Sequence, residues 1–215
     1  MNLEQARFFM VEQQIRPWDV LDPKILDLFM DTPRHNFVAE SQKELAYTDI
    51  ELPIGENQSM MAPKIEGKLL QALDISDEES VLEVGTGSGY LTALISKLAK
   101  EVTTVELNES LSNTAQSRLK NYNNINFEIG DAAQDWDNGK TYDAIVLTGS
   151  VPEVPNTYME KLNLGGRLAV ISGSAPAMTA KVITRISEQE WDTESLFETE
   201  LAPLINTRLT SGFKL

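Results

Sequence analysis

Residues 81–90 read Val81-Leu82-Glu83-Val84-Gly85-Thr86-Gly87-Ser88-Gly89-Tyr90. Three apolar residues around one carboxylate predict a strand buried in a parallel sheet. Glycines then stand at alternate positions, and Leu91-Thr92-Ala93-Leu94-Ile95-Ser96-Lys97-Leu98 predicts a helix. Strand, glycine turn and helix open a nucleotide-binding βαβ unit. Without a Cβ, the glycine backbone can turn tightly and come close to a ligand.

Downstream the alternation continues. Val102–Glu106 is a second strand, 109–120 a helix, and Ile125–Ile129 a third strand stopping at Gly130-Asp131-Ala132. Tyr142–Thr148 is a fourth strand, apolar enough to be buried on both faces. After a short helix, Leu164-Gly165-Gly166-Arg167 turns into a fifth strand ending near Ile171. Lys181–Ser187 and Leu196–Leu201 suit antiparallel strands, and Pro203 to Phe213 is a last apolar segment. Upstream, residues 3–15 have helical spacing and stop at Arg16-Pro17, because a residue before proline avoids the helical region. Asp22-Pro23 restarts a helix, with Ile25, Leu26, Leu28 and Phe29 facing the core. Thr32–Val38 breaks it, 45–55 reads as an aromatic loop, and Ile65–Ala72 as a short helix. The expected organisation is 1–74, N-terminal helices and a covering loop, and 75–215, an α/β core, in one compact unit.

Composition narrows the function classes. The 215 residues hold 33 acidic against 18 basic side chains, a net charge of −15. No Lys/Arg cluster offers a phosphate backbone a basic face, so a nucleic-acid partner is not expected. No run approaches the ~20 apolar residues of a membrane span. The first fifteen residues, with Glu4, Arg7 and Glu12, do not read as a signal peptide. There is no cysteine, hence no disulfide framework and no thiol nucleophile, which fits the cytoplasm. A single histidine argues against a His-rich metal site or a His-centred triad, and no metal is expected.

Spacing then selects the ligand. A dinucleotide site prefers G-x-G-x-x-G, whose third glycine would fall at Tyr90. Here the pattern is G-x-G-x-G, with Glu83 two residues ahead of it. It resembles the motif of methyltransferases that use S-adenosyl-L-methionine, a cofactor with no phosphate to cradle but with a cationic sulfonium and an amino group. An acidic residue nearby suits such a ligand. Glu106 ends the second strand roughly 20 residues past the glycine loop, where an acid commonly holds ribose hydroxyls. Asp131 sits at a strand's carboxyl end, where open α/β sheets bind ligands; the resemblance places it at the adenine amino group.

Further stretches make the resemblance specific. Pro33-Arg34-x-x-Phe37-Val38 and Tyr47-x-Asp49-x-x-Leu52-Pro53-Ile54-Gly55-x-x-Gln58 are similar to segments of the protein-L-isoaspartate O-methyltransferase family. So are Tyr142-Asp143-Ala144-Ile145-Val146, Pro152-Glu153-Val154-Pro155, and Leu162 through Gly165-Gly166-Arg167-Leu168, all in family order. The resemblance implies a Rossmann-like, mostly parallel, doubly wound sheet with an N-terminal helical extension. It also implies a monomer acting on an isoaspartyl-containing protein or peptide, whose α-carboxylate is methylated as the first step of protein repair. The cofactor residues it implies are Gln58, Ser59, Met60, Glu83, Gly85, Thr86, Gly87, Ser88, Gly89, Glu106, Leu107, Asp131, Ala132 and Thr148.

One departure bears on the acceptor. The family reads Thr-Ile-Ser-x-Pro after the glutamine; this chain reads Ser59-Met60-Met61-Ala62-Pro63. Ser59 keeps the first hydroxyl and is the catalytic candidate. Met61 occupies the place of the expected catalytic serine, and a thioether cannot donate a hydrogen bond to a carboxylate. Two alternatives therefore stand beside isoaspartyl methylation: a different methyl acceptor, or cofactor binding without that activity. Arg34 is a candidate for a substrate carboxylate or for a surface ion pair. His35 reads as structural or surface, Asp49 as a loop-orienting or solvated acid, and Met60 and Met61 as apolar lining.

Overall fold

The computed structural model describes residues 2–207. Helix α1 (Leu3–Met10) starts where the Asn2 side chain accepts the N–H groups of Glu4 and Gln5. It widens into a π-helical stretch over Val11–Ile15 and tightens into a 3₁₀ turn over Arg16–Trp18, so the winding passes the expected stop at Arg16-Pro17. Pro17 stands at the start of the 3₁₀ segment, where its fixed φ is compatible with the turn. The turn ends at Asp19, in the left-handed region at φ 61°. Helix α2 (Pro23–Asp31) begins as expected, with Asp22 Oδ1 accepting Lys24 N–H at 2.8 Å, and it buries Ile25, Leu26, Leu28 and Phe29.

The end of the stretch expected to be loop, 45–55, is the first strand of a hairpin, β1 (Leu52–Gly55), whose partner β2 (Gln58–Met60) lies in the stretch leading to the next helix. Its two turn residues, Glu56 and Asn57, both have positive φ, at 53° and 55°. That is the turn whose twist matches paired strands. Its usual sequence ends in glycine, and the absence of that signal hid the hairpin. Helix α3 (Pro63–Leu73) follows.

Among the described residues, the main sheet has seven strands in the order β5-β4-β3-β6-β7-β8-β9. These are β3 (Ser80–Val84), β4 (Glu101–Glu106), β5 (Ile125–Ile129), β6 (Tyr142–Leu147), β7 (Leu162–Ser174), β8 (Ala177–Ser187) and β9 (Glu190–Thr199). The first five are parallel; β8 and β9 add on antiparallel. Helix α4 (Tyr90–Leu98) links β3 to β4, α5 (Glu109–Arg118) links β4 to β5, and α6 (Asn156–Glu160) precedes β7. Side chains alternate between the two faces of the sheet. Val81, Ala144, Val146, Ala169 and Ile171 share one core with Met10, Phe29, Leu69, Leu70 and Leu94. Leu82, Val84, Ile145, Leu147, Leu168 and Val170 share the other with Tyr158 and Leu162.

The N-terminal helices are thus bound to the sheet by a common core. Arg167 on β7 reinforces the join: its guanidinium donates to Leu73 O at 2.8 Å, to Asp74 O at 2.8 Å and to Glu79 Oε1 at 2.6 Å. Between β5 and β6 there is no helix. Trp136 folds back instead, donating its indole N–H to Glu128, and its ring fills the space a side chain at Gly130 would need. Among the described residues, no helix is long and apolar enough to cross a membrane.

Candidate active site

The parallel strands end at one edge, and the glycine loop rises there. Gly85, Gly87 and Gly89 have φ of +95°, +52° and +82°, a region L side chains rarely adopt. At Gly85 a second constraint applies: a Cβ would overlap the Thr148 hydroxyl. That hydroxyl is fixed, donating to Val84 O or Gly85 O at 2.9 and 2.8 Å. The loop is also held from β4, where Glu106 Oε2 accepts Gly87 N–H at 2.8 Å and Oε1 accepts Asn108 N–H at 3.0 Å.

Around this loop lies a cleft of about 730 Å³, part of it open to solvent. Of the residues singled out in the sequence, Gln58, Ser59, Gly85, Gly87, Glu106, Leu107, Ala132 and Thr148 line it. A second chamber of about 310 Å³ shares Ile54, Ser59, Gly85, Gly87 and Thr148 with the first, and adds Met60, Met61, Glu66, Thr86, Ser88 and Leu91.

Three expected cofactor residues line neither space. Glu83 is fully buried beneath the loop, where Oε2 accepts the hydroxyls of Thr92 at 2.5 Å and Thr104 at 2.6 Å. Thr104 continues to Thr86 at 2.6 Å. Burial raises the Glu83 carboxyl to about 8, and the two threonine hydroxyls only partly oppose that rise. Burial thus favours the protonated form of this carboxyl beneath the loop. Gly89 packs against Ala115 and Leu119, a helix-to-helix contact. Asp131 is exposed: Oδ1 accepts Ala133 N–H at 3.1 Å and Oδ2 accepts the Asn206 amide at 2.8 Å.

Arg34 is neither a surface ion pair nor open to a substrate. It is completely buried, paired with Glu66, donating to Met61 O at 2.6 Å and lying 4.9 Å from the Tyr90 ring centre. Its partner Glu66 is raised to about 7 by burial, against the pull of Arg34. His35 is structural, with Nδ1 2.6 Å from Tyr47 Oη. Asp49 orients its loop through Lys64 Nζ at 2.7 Å.

Other wall residues were not among the expected cofactor residues. Glu51, Ile54 and Leu111 face the cleft, and Leu201 to Ile205 close one side of it. That last segment is tied back by Ser150 N–H to Ala202 O at 2.9 Å and Leu204 N–H to Ser150 O at 3.0 Å. Its apolar run was readable, but its place over the glycine loop was not. Residues 208–213 of the expected terminal segment lie outside the described residues.

The glycine cradle, the carboxylate on the strand beside it and the apolar walls suit a nucleoside with a positively charged sulfur, and no phosphate nest is present in the glycine spacing. The class is a Rossmann-like methyltransferase that takes S-adenosyl-L-methionine. The model of the family protein-L-isoaspartate(D-aspartate) O-methyltransferase matches residues 7–208, and the chain belongs to that family. A Geotalea uraniireducens relative named protein-L-isoaspartate O-methyltransferase 1 is 37% identical over 207 residues, covering 95% of this chain and 94% of its own. One from Syntrophus aciditrophicus, named protein-L-isoaspartate O-methyltransferase, is 40% identical over 189 residues, 87% of each chain. In fold, a Plasmodium falciparum chain assigned to the same enzyme type, crystallised with S-adenosyl-L-homocysteine, superposes with a TM-score of 0.80 at 18% identity, over 95% of this chain and 98% of that one.

Proposed function

We propose that this chain transfers a methyl group from S-adenosyl-L-methionine to the α-carboxylate of isoaspartyl residues in damaged proteins. The observation that carries the reading is one cleft, in a member of this family, walled by the Gly85–Gly87 cradle and by Glu106. In this reading Glu106 takes the ribose hydroxyls, Leu107 and Ala132 flank the adenine, and Gln58, Ser59 and the β1–β2 hairpin cover the cofactor.

Bound S-adenosyl-L-methionine supplies an electrophilic methyl group on a sulfonium leaving group. The protein's share is alignment and exclusion of water. An isoaspartyl α-carboxylate is already ionised at pH 7, so no strong base is needed. Ser59 lines both cavities and is the hydroxyl offered to the acceptor side. Met61, 4% exposed, presents a thioether in place of the family's second hydroxyl. That substitution favours a second reading, in which isoaspartyl turnover is weak and another acceptor is preferred. We further propose that the chain works as a monomer in the cytoplasm and does not bind nucleic acid; its charge of −15 and lack of cysteine support this.

The test is methyl transfer to an isoaspartyl peptide beside its aspartyl twin. Incorporation specific to the isoaspartyl form supports the first reading. Cofactor binding with no incorporation supports the second, and absence of cofactor binding overturns both.

A further inference from the structure

We infer that Glu66 is the carboxylate that receives the α-ammonium group of S-adenosyl-L-methionine, the part that glycine-loop spacing suggested for Glu83. The inference rests on the proposed cofactor reading. With the nucleoside in the larger cleft against Glu106 and Ala132, the amino-acid tail must leave across Gly85 and Gly87, the residues shared with the smaller chamber. The tail carries an ammonium and a carboxylate into a partly enclosed chamber, and an ammonium withdrawn from water needs an acceptor for its N–H groups.

Among the described residues, Glu66 is the only charged side chain on that chamber's wall. It is 2% exposed and comes from α3. Its geometry is fixed on one side only. Oε2 is held by Arg34 Nη1, and Arg34 is itself held by Met61 O and the Tyr90 ring. Oε1 has no hydrogen-bond partner among the described residues, and Glu66 borders the chamber. Glu83 also has an oxygen, Oε1, without a hydrogen-bond partner among the described residues, but it lies beneath the loop with Oε2 held by two threonine hydroxyls and borders neither cavity. Burial raises the Glu66 carboxyl and Arg34 pulls it back; the unpartnered Oε1 at the chamber wall is the acceptor offered to an ammonium N–H.

The test measures equilibrium binding by calorimetry for three ligands: S-adenosyl-L-homocysteine, its deamino analogue, and methylthioadenosine, which lacks the whole tail. The wild type is expected to prefer S-adenosyl-L-homocysteine over the deamino analogue by about tenfold or more, the usual size of a charged hydrogen bond. Glu66→Gln is expected to lose that preference while binding methylthioadenosine as the wild type does. Because Glu66→Gln leaves Arg34 buried without its counter-charge, the paired replacement Arg34→Met with Glu66→Leu is measured as well, since apolar substitution of both partners is often tolerated. It too must lose the preference. Equal binding of the first two ligands by the wild type, or a preference retained in both variants, overturns the role of Glu66 and leaves the methyltransferase reading standing. No binding of S-adenosyl-L-homocysteine to the wild type overturns that reading and this inference with it.

Discussion

Gly85 and Thr148 meet so closely that no side chain fits between them: a Cβ on Gly85 would overlap the Thr148 hydroxyl. The contact joins the end of β3 to the end of β6 and sets the floor of the cleft. Gly85 also sits at φ +95°. Gly85→Ala is therefore expected to cost about 1–3 kcal/mol in stability and to abolish most cofactor binding. Adding Thr148→Ala should relieve the overlap but not the backbone strain, so recovery should be partial. Thermal unfolding and calorimetry on both variants check this.

Glu106 has two duties, holding Gly87 N–H and, in the proposed reading, the ribose. Glu106→Gln keeps the shape but removes the charge. A loss of cofactor affinity of roughly tenfold to a hundredfold is expected, since hydrogen bonds to charged groups are worth about 1.5–3 kcal/mol. Glu106→Ala should lose more, because the loop loses its anchor as well. Titration with S-adenosyl-L-homocysteine measures both; an unchanged affinity in Glu106→Gln would remove Glu106 from the ribose site.

Glu83 gives a pH dependence. In the fold its carboxyl is raised to about 8 from an ordinary 4.5. The folded protein then binds a proton that the unfolded chain has released, so stability is greatest below pH 4.5 as far as this group is concerned. It falls as pH rises toward 8 and levels off beyond. Glu83→Gln removes this contribution. Comparing Tm against pH, the wild type should lose more between pH 5 and about 8 than the variant does. Parallel profiles would show that Glu83 is ionised in the fold.

Met61→Ser restores the hydroxyl that the family pattern places there. Removing a buried thioether should destabilise the chain by about 2–4 kcal/mol. Methyl transfer to isoaspartyl peptide should nevertheless rise per folded molecule, while Ser59→Ala should lower it. If Met61→Ser leaves the rate unchanged, the methionine is not what limits the acceptor.

Much of this was legible along the chain. Asp22-Pro23 announces a helix because a cap and a pre-set φ act within one turn. The βαβ pattern from Ser80 to Glu106 is written in local periodicity, and Glu106 falls at a strand's end by counting alone. Other features needed contacts distant in sequence. The β1–β2 hairpin uses Glu56 at positive φ against its intrinsic preference, stabilised by strand pairing that a local reading does not contain.

The sequence by itself determined the cofactor class and the parallel sheet, because glycine spacing and alternating strands are properties of neighbouring residues. Only the tertiary structure decided which carboxylates reach the cleft. Glu83 and Glu66 look alike in the sequence, but one lies on a strand under the loop, away from both cavities, with Oε2 held by Thr92 and Thr104. The other lies on a helix whose packing turns it toward the chamber, beside Arg34 from 32 residues away. Which face of a helix meets a cavity is set by how elements pack, and that information is shared across the whole chain.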